Sequence, residues 1–422
     1  MLNRSLTPEI KPTQKIHFIE PQKIHIAGQA ELFFMNKVPD ETVRIEIHFL
    51  AGQIHGKKNM SSFVSSLLLS GTKDKKSAQI HEELNELGAY VDQEISMEIA
   101  FLNLFCLRKN AKKALEILID ALKNVNFPEH EISDLVQEKR QNFLISNEKV
   151  GYLSRREFQK QLFASSTIYS RQVDLEDYDT LSREDLIEFH KQFYLKGLKK
   201  IVVVGDLEMD FIDFLKENLA DLAIKDKFSF ENTFKNKAGE FHIDKKGAVQ
   251  TAIRMGMPLF NKKSVDFFDF QVLQTILGDY FGSRLMSNIR EDKGYTYGIG
   301  CGLVELMETG YFVIATEVGK DVTTETLKEI KFEIERLKTE LVSEEELSLV
   351  KNYLLGQILK SADGANAMMD LFLGVEQHHL TLDFYNSFIE KIKNIRAEEI
   401  KTMANTYLDW SKFTIVTAGE RN

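Results

Sequence analysis

Apolar residues recur along this chain with two periods, and the switches between them mark out the elements. Val43-Arg-Ile-Glu-Ile-His-Phe-Leu50 alternates apolar and polar residues, which predicts a half-buried strand. Residues 61–72, Ser-Ser-Phe-Val-Ser-Ser-Leu-Leu-Leu-Ser-Gly-Thr, carry an apolar run that predicts a buried helix. Ile80, Leu84 and Leu87 share one face of a helix over Ser77–Leu87, and Gly88 follows as its stop. Ile95–Leu107 predicts a strand, Ala111–Lys123 an amphipathic helix through Leu115, Leu118, Ile119 and Leu122, and another helix begins near Pro128. Tyr178–Tyr194 predicts a helix opened at Ser182 with Asp185 three residues on, and Lys200–Asp206 a buried strand. Residues 1–30 are polar, hold Pro8, Pro12 and Pro21, and are expected to form an arm over the body.

The same order then repeats. Thr251–Met257 predicts a strand, Ser264–Leu277 and Leu285–Asp292 helices, and Gly294 a second breaker. Tyr311–Val318 reads as a strand and Thr323–Leu337 as a helix, with Ser343 and Glu346 capping the next one. Gly205 and Gly419 stand 214 residues apart, Tyr194 and Tyr407 213, and Gly88 and Gly294 206. So constant an offset indicates a duplicated domain. The reading is an N-terminal domain over 1–220, a linker over 221–245, where polar residues and Gly displace the apolar period, and a homologous C-terminal domain over 246–422. Neither half has a regular βαβ rhythm, so the expected class is α+β, each half a sheet covered by helices.

Composition narrows the function classes. An apolar fraction of 43% with only 6 Pro in 422 residues describes a folded chain. A net charge of −10 and the lack of a basic stripe argue against a nucleic-acid partner. Cys106 and Cys301 lie in different halves, and both are expected to be free thiols of a reducing compartment. No apolar run reaches the length of a membrane span and no signal-like segment opens the chain, so the cytoplasm is expected, with the periplasm as the alternative if a signal had been removed.

The 61–72 stretch resembles the first helix of the pitrilysin/insulinase-type zinc peptidases, typically Ala-His-Phe-Leu-Glu-His-Met-Leu-Phe-Lys-Gly-Thr. Phe63, Leu68, Gly71 and Thr72 match, whereas the H-x-x-E-H positions hold Ser62, Ser65 and Ser66. The resemblance places the third zinc ligand, a Glu six residues after an Arg matched by Arg140, at Ser146; Glu138 and Glu148 flank it. Zinc needs imidazole, thiolate or carboxylate donors, and the motif's Glu takes the proton of the metal-bound water. Serine hydroxyls do neither well. No metal or other cofactor is therefore expected in this chain. The other His residues show no i, i+4 pairing that would relocate a site, and adjacent His378 and His379 point about 100° apart on a helix.

A second signature is intact. Against the family's Leu-Arg-Glu-Lys-Arg-Gly-Leu-Ala-Tyr-Ser, this chain has Ile289-Arg-Glu-Asp-Lys-Gly-Tyr-Thr-Tyr-Gly298. The resemblance implies that Arg290 and Tyr297 reach substrate and the developing oxyanion, with Gly294, Tyr295 and Gly298 beside the substrate and Gly298–Gly302 as a strand lip against it. It implies two homologous halves, each a mixed, mainly antiparallel sheet, enclosing a central cavity. An emptied first half with an intact Arg/Tyr pair resembles the zinc-less subunit of a two-chain peptidase. The alpha chain of mitochondrial processing peptidase also lacks zinc ligands, but this chain has no long Gly-rich loop like it. The expected partner is a homologous H-x-x-E-H chain holding the zinc, or a second copy of this one, and the expected substrate an unfolded peptide. The alternatives are a non-enzymatic scaffold, like the core subunits of the respiratory bc1 complex, and a homodimeric peptide binder.

Overall fold

Two sheets of one connectivity carry the chain. The computed structural model describes residues 15–36, 38–225, 228–231 and 233–421. Strands β1 (Gln22–Ala27), β2 (Ala30–Met35), β3 (Thr42–Phe49), β4 (Tyr90–Ile95), β5 (Ala100–Leu107) and β6 (Leu198–Val204) form the first sheet, in the order β1-β2-β6-β3-β5-β4. Strands β7 (Gly239–Asp244), β8 (Gln250–Leu259), β9 (Thr296–Glu305), β10 (Gly310–Gly319) and β11 (Thr414–Gly419) form the second, in the order β7-β11-β8-β10-β9. Without β1 the two orders are the same. In each, one pair is parallel, β2 with β6 and β7 with β11, and the rest are antiparallel. The repeated landmarks sit at equivalent places: Gly88 (φ 61°) and Gly294 (φ 66°) take the left-handed conformation that favours glycine just before β4 and β9. The fold is the α+β one that the duplication implied.

Several elements differ from their sequence readings. The helix expected over 61–72 is Met60–Leu67, because Gly71 (φ 134°) turns the chain into bridges with Lys76 and, through Thr72, with Val125. Ile95–Leu107 is not one strand: Ser96 caps a tight turn with its hydroxyl, and the chain reverses between β4 and β5. Tyr178–Tyr194 is split into a short turn of helix at Glu176–Asp179 and the helix Arg183–Phe193, whose N-cap Ser182 accepts from the Asp185 amide as expected. The expected arm over 1–30 is partly strand, since Ile24 and Ile26 let β1 pair with β2; its first 14 residues lie outside the described ones. Leu285–Asp292 coils as a π-helix over Met286–Asp292. Of the stretch read as linker, Gly239–Asp244 is β7, paired to β11.

Each sheet packs one face on its own helices. In the first, Ile45, Ile47, Leu102, Leu104, Ile201 and Val203 enter the first core; in the second, Met255, Phe312, Ile314 and Ile415 enter the other. The opposite faces are covered by exchange. Helix Val150–Leu162 of the first half lies on β8 and β11 of the second sheet, bringing Phe158, Leu162 and Phe163 against Tyr311, Val313 and Val416. Gly256 makes this contact fit, since a Cβ there would stand 3.0 Å from the Phe158 ring and 2.0 Å from the Phe312 carbonyl oxygen. Helix Ala365–Glu376 of the second half in turn packs Met369 on Phe33, Met35, Val202 and Val204. Polar links join the halves around these helices: the Met307 amide donates to Glu98 at 2.9 Å, Lys200 pairs with Glu376, and Arg44 pairs with Asp370 and Glu46.

Two buried imidazoles, His190 and His55, fasten the packing, and a third, His378, is buried without a hydrogen bond among the described residues. His190 Nε2 donates to the Leu122 carbonyl at 2.7 Å, tying helix Arg183–Phe193 to helix Ala111–Asn124, and His55 Nε2 donates to the Glu98 carbonyl at 3.0 Å. His378 is buried while His379 is exposed in a left-handed conformation, so that adjacent pair does not converge. Burial lowers the pKa of His55, His190 and His378 to about 4 each. Their folded pKa values lie below that of an unfolded histidine, ~6.5, so the unfolded chain binds protons first. The stability they contribute is therefore complete above pH ~6.5 and is lost as the pH falls towards 4. Urea unfolding at stepped pH is expected to show the midpoint falling across that window; a flat midpoint would contradict the burial of these rings.

Candidate functional site

Helix Met60–Leu67 buries Met60, Phe63, Val64 and Leu67, which fixes where its serines point. Ser61 donates to the Ala51 carbonyl, and Ser65 is 4% exposed beside the Tyr194 hydroxyl. Ser62 is half-buried and Ser66, one turn later on the same edge, is exposed. The helix Glu129–Ser146 runs past this edge. From it Lys139 extends over the Phe63 ring, 5.7 Å from its centroid, and donates to Ser62 Oγ at 2.9 Å. No carboxylate pairs with Lys139 among the described residues, and burial lowers its pKa. Ser146 closes the same helix two turns on. The flanking carboxylates do not substitute for it: Glu138 is exposed, and Glu148 is exposed and pairs with Lys245 at 2.6 Å.

This donor set does not fit zinc. Hydroxyls stand at the three motif positions and at Ser146, where the resemblance puts the third ligand, and an ammonium occupies the approach to Ser62, where its charge opposes that of a dication. Among the described residues no other group of three or more His, Cys, Asp or Glu is placed to hold a metal ion. Sequence reasoning found the serines but not Lys139. The signal was there, because Lys139 precedes Ser146 by seven residues and so shares its helix face.

The second signature lies at the far side of the second sheet. Arg290, on the π-helical turn, lays its guanidinium over the Phe281 ring at 4.6 Å and pairs with Glu291 at 3.0 Å. The left-handed Gly294 then turns the chain, its amide and that of Tyr295 donating to the carbonyls of Arg290 and Ile289. Tyr295 packs half-buried on the second core. Thr296 and Thr316 join hydroxyls at 2.9 Å where β9 and β10 bulge, and Thr296 also donates to the Glu317 carbonyl. Tyr297 is left 93% exposed on the edge strand, beside Gly298. No hydrogen bond or cation–ring contact joins Arg290 to Tyr297 among the described residues. Tyr297 and Gly298 instead stand at the mouth of a cavity of about 400 Å³ between helix Val150–Leu162 and strands β8, β9 and β10.

The role of Lys139 can be measured by rebuilding the motif. Ser62→His, Ser65→Glu, Ser66→His and Ser146→Glu together are expected to recover zinc poorly while Lys139 remains. Adding Lys139→Gln is expected to tighten binding by roughly tenfold or more, as removal of one adjacent positive charge implies. Competition against a chromogenic chelator reads this directly, and equal affinity with and without Lys139 would show that its charge does not bear on the site.

Comparison with known proteins agrees with this arrangement. Residues 33–169 match the family described as Insulinase (Peptidase family M16), and residues 180–354 match Peptidase M16 inactive domain. An "Uncharacterized zinc protease" of Rickettsia felis is 25% identical over 364 residues, covering 83% of this chain and 85% of that protein. A "Non-peptidase homolog YmxG" of Helicobacter pylori is 22% identical over 394 residues, covering 88% of each. The crystal structure of a peptidase M16 inactive domain from Pseudomonas fluorescens superposes with a TM-score of 0.86 at 23% identity, covering 96% of this chain and 99% of that one. With both halves matched, the same strand order in each, and the Arg/Tyr signature following Ile289, the chain belongs to the insulinase (M16) peptidase family.

Proposed function

We propose that this chain is the zinc-less subunit of a two-chain M16 peptidase, inactive by itself, and that it presents Arg290 and Tyr297 to peptide held by a homologous partner carrying H-x-x-E-H. The observation that carries this reading is the contrast between the two halves. The first half has hydroxyls and a lysine where the metal chemistry would be, and the second keeps Tyr297 almost fully exposed at the end of an ordered Arg-to-Tyr turn. An exposed phenol on an edge strand contributes little to stability. Its position suits a donor that meets its acceptor on another molecule.

In the partner, zinc would supply an activated water for attack on the peptide carbonyl. This chain's residues would act on the other side of that carbonyl. The Arg290 guanidinium and the Tyr297 hydroxyl are donors, and each gains as negative charge develops on the oxygen. Arg290 must leave Glu291 to do so, and Glu291, 52% exposed, is then solvated by water. Both cysteines are buried and free, in keeping with a cytoplasmic, reducing setting, and among the described residues no helix is long and apolar enough to cross a membrane.

One observation favours a second reading. Arg290 is already engaged with Phe281 and Glu291 and forms no hydrogen bond with Tyr297 among the described residues, as suits a chain that binds peptide without cleaving it. The two readings separate in a reconstituted mixture of this chain with its H-x-x-E-H homologue. Arg290→Ala is expected to lower the rate of peptide hydrolysis by about 100-fold, and Tyr297→Phe by at least tenfold, with complex formation by size unchanged. Full activity in both variants would remove the catalytic role and leave the peptide binder.

A further inference from the structure

We propose that Arg254 receives the carboxylate of an extended peptide in the cavity between helix Val150–Leu162 and strands β8, β9 and β10. The inference rests on the peptide-binding reading given above and adds what part of the peptide is recognised. In β8, Met255 enters the second core, so Arg254 beside it projects from the opposite face, into the cavity beneath the helix of the other half. Its Nε is buried and has no hydrogen-bond partner, and among the described residues no carboxylate forms an ion pair with it. Arg155 on the covering helix adds a second positive charge close by, and burial with this neighbour lowers the Arg254 pKa. Glu317 lines the same cavity but receives no bond from Arg254; its carboxylate is packed against the Cα of Gly151. An unmatched guanidinium under a helix is costly unless something pairs with it. The planar fork of an arginine best matches a carboxylate.

The walls say what carries that carboxylate. The cavity reaches β9, the outermost strand, whose Gly298 lines it and whose Gly302 stands opposite Val313 of β10. A Cβ on Gly298 or Gly302 would meet nothing within 4 Å, and neither residue is in the left-handed region. The protein's own packing and backbone therefore do not call for glycine there. Bare backbone beside an unpaired strand edge suits close approach by another extended chain, with Tyr297 at the mouth and Ser154 within reach of its end.

The test compares fluorescein-labelled, unstructured 12-residue peptides with a free C-terminal carboxylate and with a C-terminal amide, by anisotropy against the full chain. The acid is expected to bind about tenfold more tightly than the amide, and Arg254→Gln to remove that ratio while leaving affinity for the amide unchanged. Equal affinities in the wild type, or a ratio that survives in Arg254→Gln, overturn the proposal; the wild-type ratio decides even if the variant fails to fold. An amide peptide with one internal Glu that binds like the acid, through Arg254, assigns the carboxylate to a side chain instead of the terminus. Binding of neither form would defeat the peptide-binding reading itself. In that event N-acetyl-trialanine is the probe: no shift of the Arg254 Nε–H resonance on its addition overturns this inference as well.

Discussion

A sheet has two faces, and a helix-covered sheet of five or six strands leaves one of them open; here each open face is closed by a helix of the other half. Helix Val150–Leu162 on the second sheet and helix Ala365–Glu376 on the first are equivalent elements of the duplication, so the exchange is reciprocal. Breaking either contact would expose Phe158, Leu162 and Val416, or Phe33, Val202 and Met369. Fully burying a side chain of that size is worth ~1.5–3 kcal/mol, so the two halves cannot part without losing much of a typical domain's stability. The exchange also decides what remains available for binding. What stays open beside the covering helices includes the cavity of Arg254, which runs from β8 to Tyr297 and Gly298 on the edge strand β9.

The same constraint explains a class of residue that the sequence presents misleadingly. In Val43–Leu50 the polar positions Arg44, Glu46 and His48 look like a solvated strand face, yet Glu46 and His48 are each 8% exposed. They are buried by a helix more than 300 residues later in the chain, and they tolerate it because Glu46 bonds both Arg44 and His48 while Asp370 completes the arginine. Period-2 patterning reports that one face is apolar, not what covers the other.

What could be read from the chain alone follows from how local each determinant is. The helices Ser77–Glu86 and Ala111–Asn124, the caps at Ser182 and Ser343, and the glycines at 88 and 294 depend on neighbours within one or two turns, and these were legible. The departure from H-x-x-E-H at Ser62, Ser65 and Ser66 is a matter of residue type and needs no structure to be read. The β4–β5 reversal was not legible, because Ser96–Ile99 lacks the glycine or proline that usually marks a turn and is closed by the Ser96 hydroxyl. Lys139 and Arg254 were not legible as site residues either. Each is a single charge on an otherwise ordinary element, and only three-dimensional placement shows that neither forms an ion pair with a carboxylate among the described residues.

At the emptied centre the account comes down to charge. Hydroxyls at Ser62, Ser65, Ser66 and Ser146, with the Lys139 ammonium on Ser62, stand where the family motif has imidazoles and carboxylates, a set poorly suited to a dication. The most direct measurement is equilibrium dialysis of the purified wild-type chain against micromolar zinc, with metal content read by mass spectrometry. The account expects far less than one equivalent, readily removed by a weak chelator. One equivalent of tightly held zinc would contradict it.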